Sequence, residues 1–90
     1  MTVRHNALQG RYELDTEHGV AIAIYTVQAD RAIFTHTEVP AADEGKGIGT
    51  RLVRAALDDV RRRGLTIVPA CSFVADFVRR HPEYEHSRRA

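Results

Sequence analysis

Hydrophobic and polar positions change period near Pro40, and the change separates two kinds of predicted element. Before it the apolar residues run in the short alternating or continuous stretches of strands. Arg11 to Asp15 alternates weakly, and Glu17-His18-Gly19 reads as a hairpin connection, with Gly19 able to supply a positive φ. Val20 to Val27 is rich in β-branched residues and apolar on both parities, so both of its faces are expected to be covered. Gln28 to Arg31 is a second turn and Ala32 to Val39 a third strand. Connections this short predict an antiparallel meander.

After the change the period is helical. Ile48, Leu52, Val53, Ala56, Leu57 and Val60 fall on one face, and Arg51, Arg54, Asp58, Arg61 and Arg62 fall mostly on the other. Asp58 and Asp59 precede Arg62 and Arg63 by the spacing of helical ion pairs, and Gly64 is the expected stop. Leu65 to Cys71 predicts a fourth strand, which a helical crossover must place parallel to the third. Pro69 marks an edge or the end of pairing. Ser72 is placed to cap a second helix reaching about Arg80, Pro82 ends it, and the tail from Glu83 to Ala90 is polar and basic. The expected architecture is a three-layer α/β (α+β) fold. It has about four strands in a mostly antiparallel sheet, with one parallel strand pair, flanked by helices.

Ninety residues read as a single domain, 1–90, with a thin core. The formal net charge of +1 gives no argument for a nucleic-acid or membrane partner. No apolar run is long enough to span a bilayer, and the N-terminus lacks the apolar core of a secretory signal. Cys71 is the one cysteine, which excludes an intrachain disulfide and fits a reducing, cytoplasmic setting. The five scattered histidines do not make a zinc site of the usual spacing, so no metal is expected.

Between the third strand and the first helix lies Gly45-Lys46-Gly47-Ile48-Gly49-Thr50. Glycine is entropically costly, so three at alternate positions need a reason. A helix start offers unpaired N–H groups and a dipole that favours an anion by roughly 0.3–1 kcal/mol at an exposed site. Glycines let phosphate oxygens approach those groups, and Lys46 could add positive charge. A P-loop would need Lys-Ser/Thr after its last glycine, and a dinucleotide fingerprint would need different spacing within a βαβ unit. The remaining readings are a phosphate cradle of another kind and a tight turn that binds nothing.

The stretch "VPAADEGKGIGTRLVRAAL" resembles the acetyl-CoA pyrophosphate loop of the GCN5-related N-acetyltransferase superfamily, with Gly47 and Gly49 at its two small-residue positions and Glu44 where Arg or Gln is usual. Adding "HTEVP", "PACSFV" and "HPEY", the chain from about residue 5 to about residue 85 resembles the small, single-domain YjdJ-like N-acetyltransferase family. The resemblance implies a truncated acetyltransferase with acetyl-CoA as cosubstrate and an unidentified amine, small molecule or protein, as acceptor. It also implies a cofactor site made of Val39, Gly45, Lys46, Gly47, Ile48, Gly49, Thr50, Cys71 and Ser72, with the acetyl group between the splayed ends of the two parallel strands.

Acetyl transfer needs a polarised carbonyl, a deprotonated nucleophile and a protonated leaving thiolate. Cys71, at a helix start that favours thiolate, could take the acetyl group or serve near the sulfur; it could equally be a small buried hydrophobe. His36 suits a general base, or an imidazole bonded within the sheet. Glu38 could be a base or an exposed strand residue. Tyr84 follows Pro82, which favours packing over protonation of the sulfur. Arg79, Arg80, Arg88 and Arg89 could meet a phosphate, solvated charge being the default. Two rivals remain: a non-catalytic acyl-CoA-binding or protein-interaction module, and a nucleic-acid-binding domain, for which no aromatic platform is visible.

Overall fold

A computed structural model describes residues 2–85 of the chain. Five strands form one sheet whose spatial order follows the chain: β1 (Arg4–Asn6), β2 (Arg11–Thr16), β3 (Gly19–Gln28), β4 (Arg31–Glu38) and β5 (Thr66–Pro69). The first four pair antiparallel, and β4 and β5 form the parallel pair that the crossover requires. Helix α1 (Ile48–Arg62) makes the crossover, and α2 (Ser72–Arg80) follows β5. Three short 3-10 turns lie at Ala7–Gln9, Ala41–Asp43 and Pro82–Tyr84.

The predicted strand count is one short. β1 has three residues and no hydrophobic rhythm, so periodicity could not reveal it. A polar cluster holds it instead. Glu13 of β2, nearly buried, accepts hydrogen bonds from Asn6 Nδ2 at 2.9 Å, Arg4 Nε at 2.9 Å and Arg11 Nε at 2.7 Å. These donors, the Asn6 amide foremost, hold its carboxyl at about 2.

The expected three layers are two. β2, β3, β4 and β5 turn Tyr12, Leu14, Ala21, Ala23, Phe34 and Ile67 toward the helices, and all are buried. The alanines allow α1 to seat close to the sheet. The Tyr12 hydroxyl reaches Asp59 Oδ2 at 2.7 Å and ties the far end of α1 to β2. Burial, then that carboxylate, raises the pKa of the Tyr12 phenol. α2 lies beside α1 on the same face: the Arg54 guanidinium stands 5.3 Å from the Phe77 ring centroid, and Tyr84 Oη donates to Asp58 Oδ1 at 2.6 Å. Ile22, Ile24, Ile33 and Val68 point to the other face, where they are only half-buried and no helix covers them among the described residues. Apolarity on both parities of β3 therefore did not mean coverage of both faces.

Two helix details also differ from expectation. Asp58 bonds Tyr84 rather than Arg62, while Asp59 pairs with both Arg62 and Arg63. Cys71, not Ser72, is the N-cap of α2, and no side chain caps that helix. Arg88, Arg89 and the end of the basic tail lie outside the described residues.

Candidate functional site

α1 begins without the usual devices. Gly47 is its N-cap, in the left-handed region at φ 78°, with no side-chain cap and no acidic residue in the first turn. Gly45 is left-handed too, at φ 83°. A Cβ at either position would meet no protein atom within 4 Å, so their reason is backbone conformation and the open space above them. Gly49 has a different reason: a Cβ there would lie 2.6 Å from Cζ of Phe73, so the third glycine makes room for that ring of α2.

The open space is a cleft of about 350 Å³. Of the predicted cofactor residues, Val39, Gly45, Gly47, Ile48, Gly49 and Thr50 line it. Lys46, Cys71 and Ser72 are not among its walls. The Lys46 ammonium turns to Asp43 Oδ1 at 3.1 Å and Glu17 Oε1 at 3.6 Å. Ser72 is exposed as the first residue of α2. Four further residues complete the wall: Thr37, Asp43, Glu44 and Phe73. Thr37 could have been found, since it shares strand parity with Val39. Phe73 gives no local signal, because α2 brings it from outside the loop.

At one end the cleft meets the point where β4 and β5 part. Their pairing stops at Phe34–Pro69, and the Phe34 carbonyl accepts from the N–H groups of both Ala70 and Cys71 at 3.0 Å. β4 runs on to Glu38 beside β3 alone, past a bulge opposite Ile24 and Tyr25. Beyond the bulge Ala23 faces Thr37 and Ile22 faces Glu38, and the ladder's alternation turns the Thr37 backbone toward the gap that β5 has left. Thr37 Oγ1 lies 3.5 Å from Cys71 Sγ, so the cysteine stands at the split, half-buried against the core.

His36 is one residue from Thr37 and therefore points to the open face. Its Nε2 lies 2.9 Å from Glu38 Oε2, and both side chains are more than half exposed. The structure thus places the two predicted catalytic residues, Cys71 and His36, on opposite faces of β4. Tyr84 is buried and bonded to Asp58, a packing role. Arg79 and Arg80 both pair with Asp76.

Beside the loop, Glu17, His18 and Asp43 bring ligand-type atoms within 4.8 Å of one another. The Lys46 ammonium stands on the same Asp43 oxygen as His18, so the group is a hydrogen-bonded ion cluster. Residues so distant in sequence left no spacing motif to read.

The profile of a family described as GCN5-related N-acetyl-transferase matches residues 11–87. Protein NATD1 of Bos taurus is 34% identical over 73 residues, which cover 80% of this chain and 65% of that protein. Protein NATD1 of Danio rerio is 27% identical over 92 residues, 99% of this chain and 84% of that protein. The chain thus spans about two thirds of the length of the bovine relative. A solution structure of a GCN5-like protein from Staphylococcus aureus superposes with a TM-score of 0.69 over 99% of this chain and 88% of its own, at 17% identity, a likeness of fold.

Proposed function

The chain belongs to the GCN5-related N-acetyltransferase family, and on that premise we propose that it is a small, single-domain acetyltransferase of the YjdJ-like kind that uses acetyl-CoA to acetylate an amine in the cytoplasm. No metal, nucleic acid or membrane enters the proposal, and no described helix is long and apolar enough to cross a bilayer.

One observation carries the reading: an uncapped helix start with two left-handed glycines opens onto a cleft that runs to the parting of the parallel strands. The N–H groups of Ile48, Gly49 and Thr50 have no intrahelical acceptor and suit a pyrophosphate. Gly45 and Gly47 leave room for it. Val39, Thr37 and Phe73 offer a wall of the right polarity for a pantetheine arm reaching the split. The acetyl carbonyl is polarised there by the Thr37 backbone N–H.

The amine approaches from the open face. With the Nε2 proton donated to Glu38, Nδ1 of His36 keeps a lone pair and takes the amine proton as the N–C bond forms. The C–S bond breaks, and the Cys71 thiol, beside Thr37 on the cleft side, gives a proton to the departing sulfur. The opposite placement of the two residues thus becomes a division of labour across the sheet. A covalent route, with Cys71 taking the acetyl group first, is separable by mass.

The test is calorimetric titration of the protein with acetyl-CoA and with CoA, then an amine panel assayed for acetyl transfer and intact mass after incubation with acetyl-CoA. The expected result is binding of both, transfer to an amine, and no acetyl group left on the chain. A Cys71-dependent mass gain would replace direct transfer with the covalent route. Binding without transfer would favour a non-catalytic acyl-CoA-binding module, and no binding would end the reading.

A further inference from the structure

We propose that Asp43 is a positioning residue for the phosphate-binding loop, a peg that fixes the glycines in their anion-receptive conformation by tying the Lys46 side chain between them to the β2–β3 hairpin. The proposal rests on the acetyl-CoA reading above.

Asp43 is 0% exposed. A carboxylate taken out of water is costly unless hydrogen bonds and charge compensate it, so its partners identify what it holds. Oδ2 accepts from the His18 backbone N–H at 3.1 Å, and Oδ1 lies 2.8 Å from His18 Nδ1. Oδ1 also accepts from Lys46 Nζ at 3.1 Å. His18 lies in the hairpin turn between β2 and β3, while Lys46 sits between the two left-handed glycines. The peg therefore joins two segments that no strand pairing connects.

The loop needs such a peg. Among the described residues, the amides of Gly45, Lys46 and Gly47 donate to no backbone carbonyl. Left-handed glycines have wide conformational freedom, so an unheld loop would sample many forms and bind an anion only after losing that entropy. Asp43 itself lines the cleft, two residues before Gly45. It also draws the Lys46 charge downward, away from the position the sequence suggested, so the loop offers backbone donors rather than a side-chain cation. The His18 bonds, first among its partners, hold the carboxyl well below the usual range, so the peg stays ionised near neutral pH.

The probes are CoA, which carries the pyrophosphate, and pantetheine, which does not, titrated against wild type, Asp43→Asn and His18→Ala, with amide NMR spectra recorded alongside. Asp43→Asn is expected to weaken CoA about tenfold and shift the amides of residues 45–50, while pantetheine still perturbs Thr37, Val39 and Phe73 as in wild type. His18→Ala removes only the half-exposed imidazole and is expected to weaken CoA about threefold. Wild-type CoA affinity in a folded Asp43→Asn overturns the proposal. Equal weakening of CoA and pantetheine, with shifts across the sheet, overturns it in favour of a general structural role. If Asp43→Asn does not fold, His18→Ala decides by the same two criteria. Absence of CoA binding to wild type is a different failure, that of the acetyl-CoA reading itself.

Discussion

The two helices start in the same neighbourhood and solve the same problem differently. α1 and α2 both begin without a capping side chain or an acidic residue in the first turn. Before α1 the chain carries glycines, adopts left-handed conformations and leaves open space over its free N–H groups. Before α2 it carries Cys71 in an extended conformation, with its N–H already bonded to the Phe34 carbonyl and its sulfur directed to Thr37. An uncapped helix start is therefore not a binding site by itself. Conformation before the cap and the space beyond it decide whether the donors face an open cleft or whether a side chain fills the position.

The largest test of this contrast is Gly47→Glu. The left-handed φ costs ~1–2 kcal/mol for a residue with a Cβ, yet the Cβ meets nothing, so the fold should survive. The carboxylate competes for the donors at the helix start, and CoA affinity should fall about a hundredfold, ~2.7 kcal/mol, by calorimetry. Unchanged affinity would make the two starts equivalent and remove the cradle.

Next comes Gly49→Val, which asks whether the third glycine serves packing rather than phosphate. It should lose ~1 kcal/mol in urea unfolding, since the half-exposed Phe73 ring must move aside. Phe73→Ala should recover part of that loss in a double-mutant cycle, and strict additivity would reject the contact.

Cys71→Ala probes the other start. Turnover should fall about tenfold with CoA affinity kept, a modest loss for a general acid because water can also protonate a thiolate. Unchanged turnover would leave Cys71 as packing.

The smallest effect concerns pH. Asp43 supports only the α1 side, and its folded pKa lies below the ordinary 3.8. Its contribution to stability is complete above about that value and is lost as pH falls through the lower folded pKa. The stability gap between wild type and Asp43→Asn should be constant from pH 7 to pH 5 and narrow below about 3.8. A gap that instead closes near neutrality would show that Asp43 is not held as described.

Much of the fold was written in local pattern. The range of α2, the start of α1, the meander and the parallel β4–β5 pair follow from apolar period and from Gly64 and Pro82, because such signals act over a few residues. Six of the nine predicted cofactor residues line the cleft for the same reason: a glycine run next to a helix start is a local statement. β1 escaped because a polar cluster, not apolar rhythm, holds it.

What only the tertiary structure decided are relations between distant segments. Asp43 and Glu44 are adjacent acids, yet one is buried by the hairpin and the other is exposed. Lys46 was free to serve phosphate until His18 and Asp43 arrived beside it, and Gly49 owes its identity to a phenylalanine in another helix. Sequence fixed the conformations each segment can adopt, since φ preference and periodicity are intrinsic to short stretches. Burial and charge pairing depend on what packs against a segment, and so the fold decided which glycine opens onto the cleft, which lysine is held and which face of the sheet stays open.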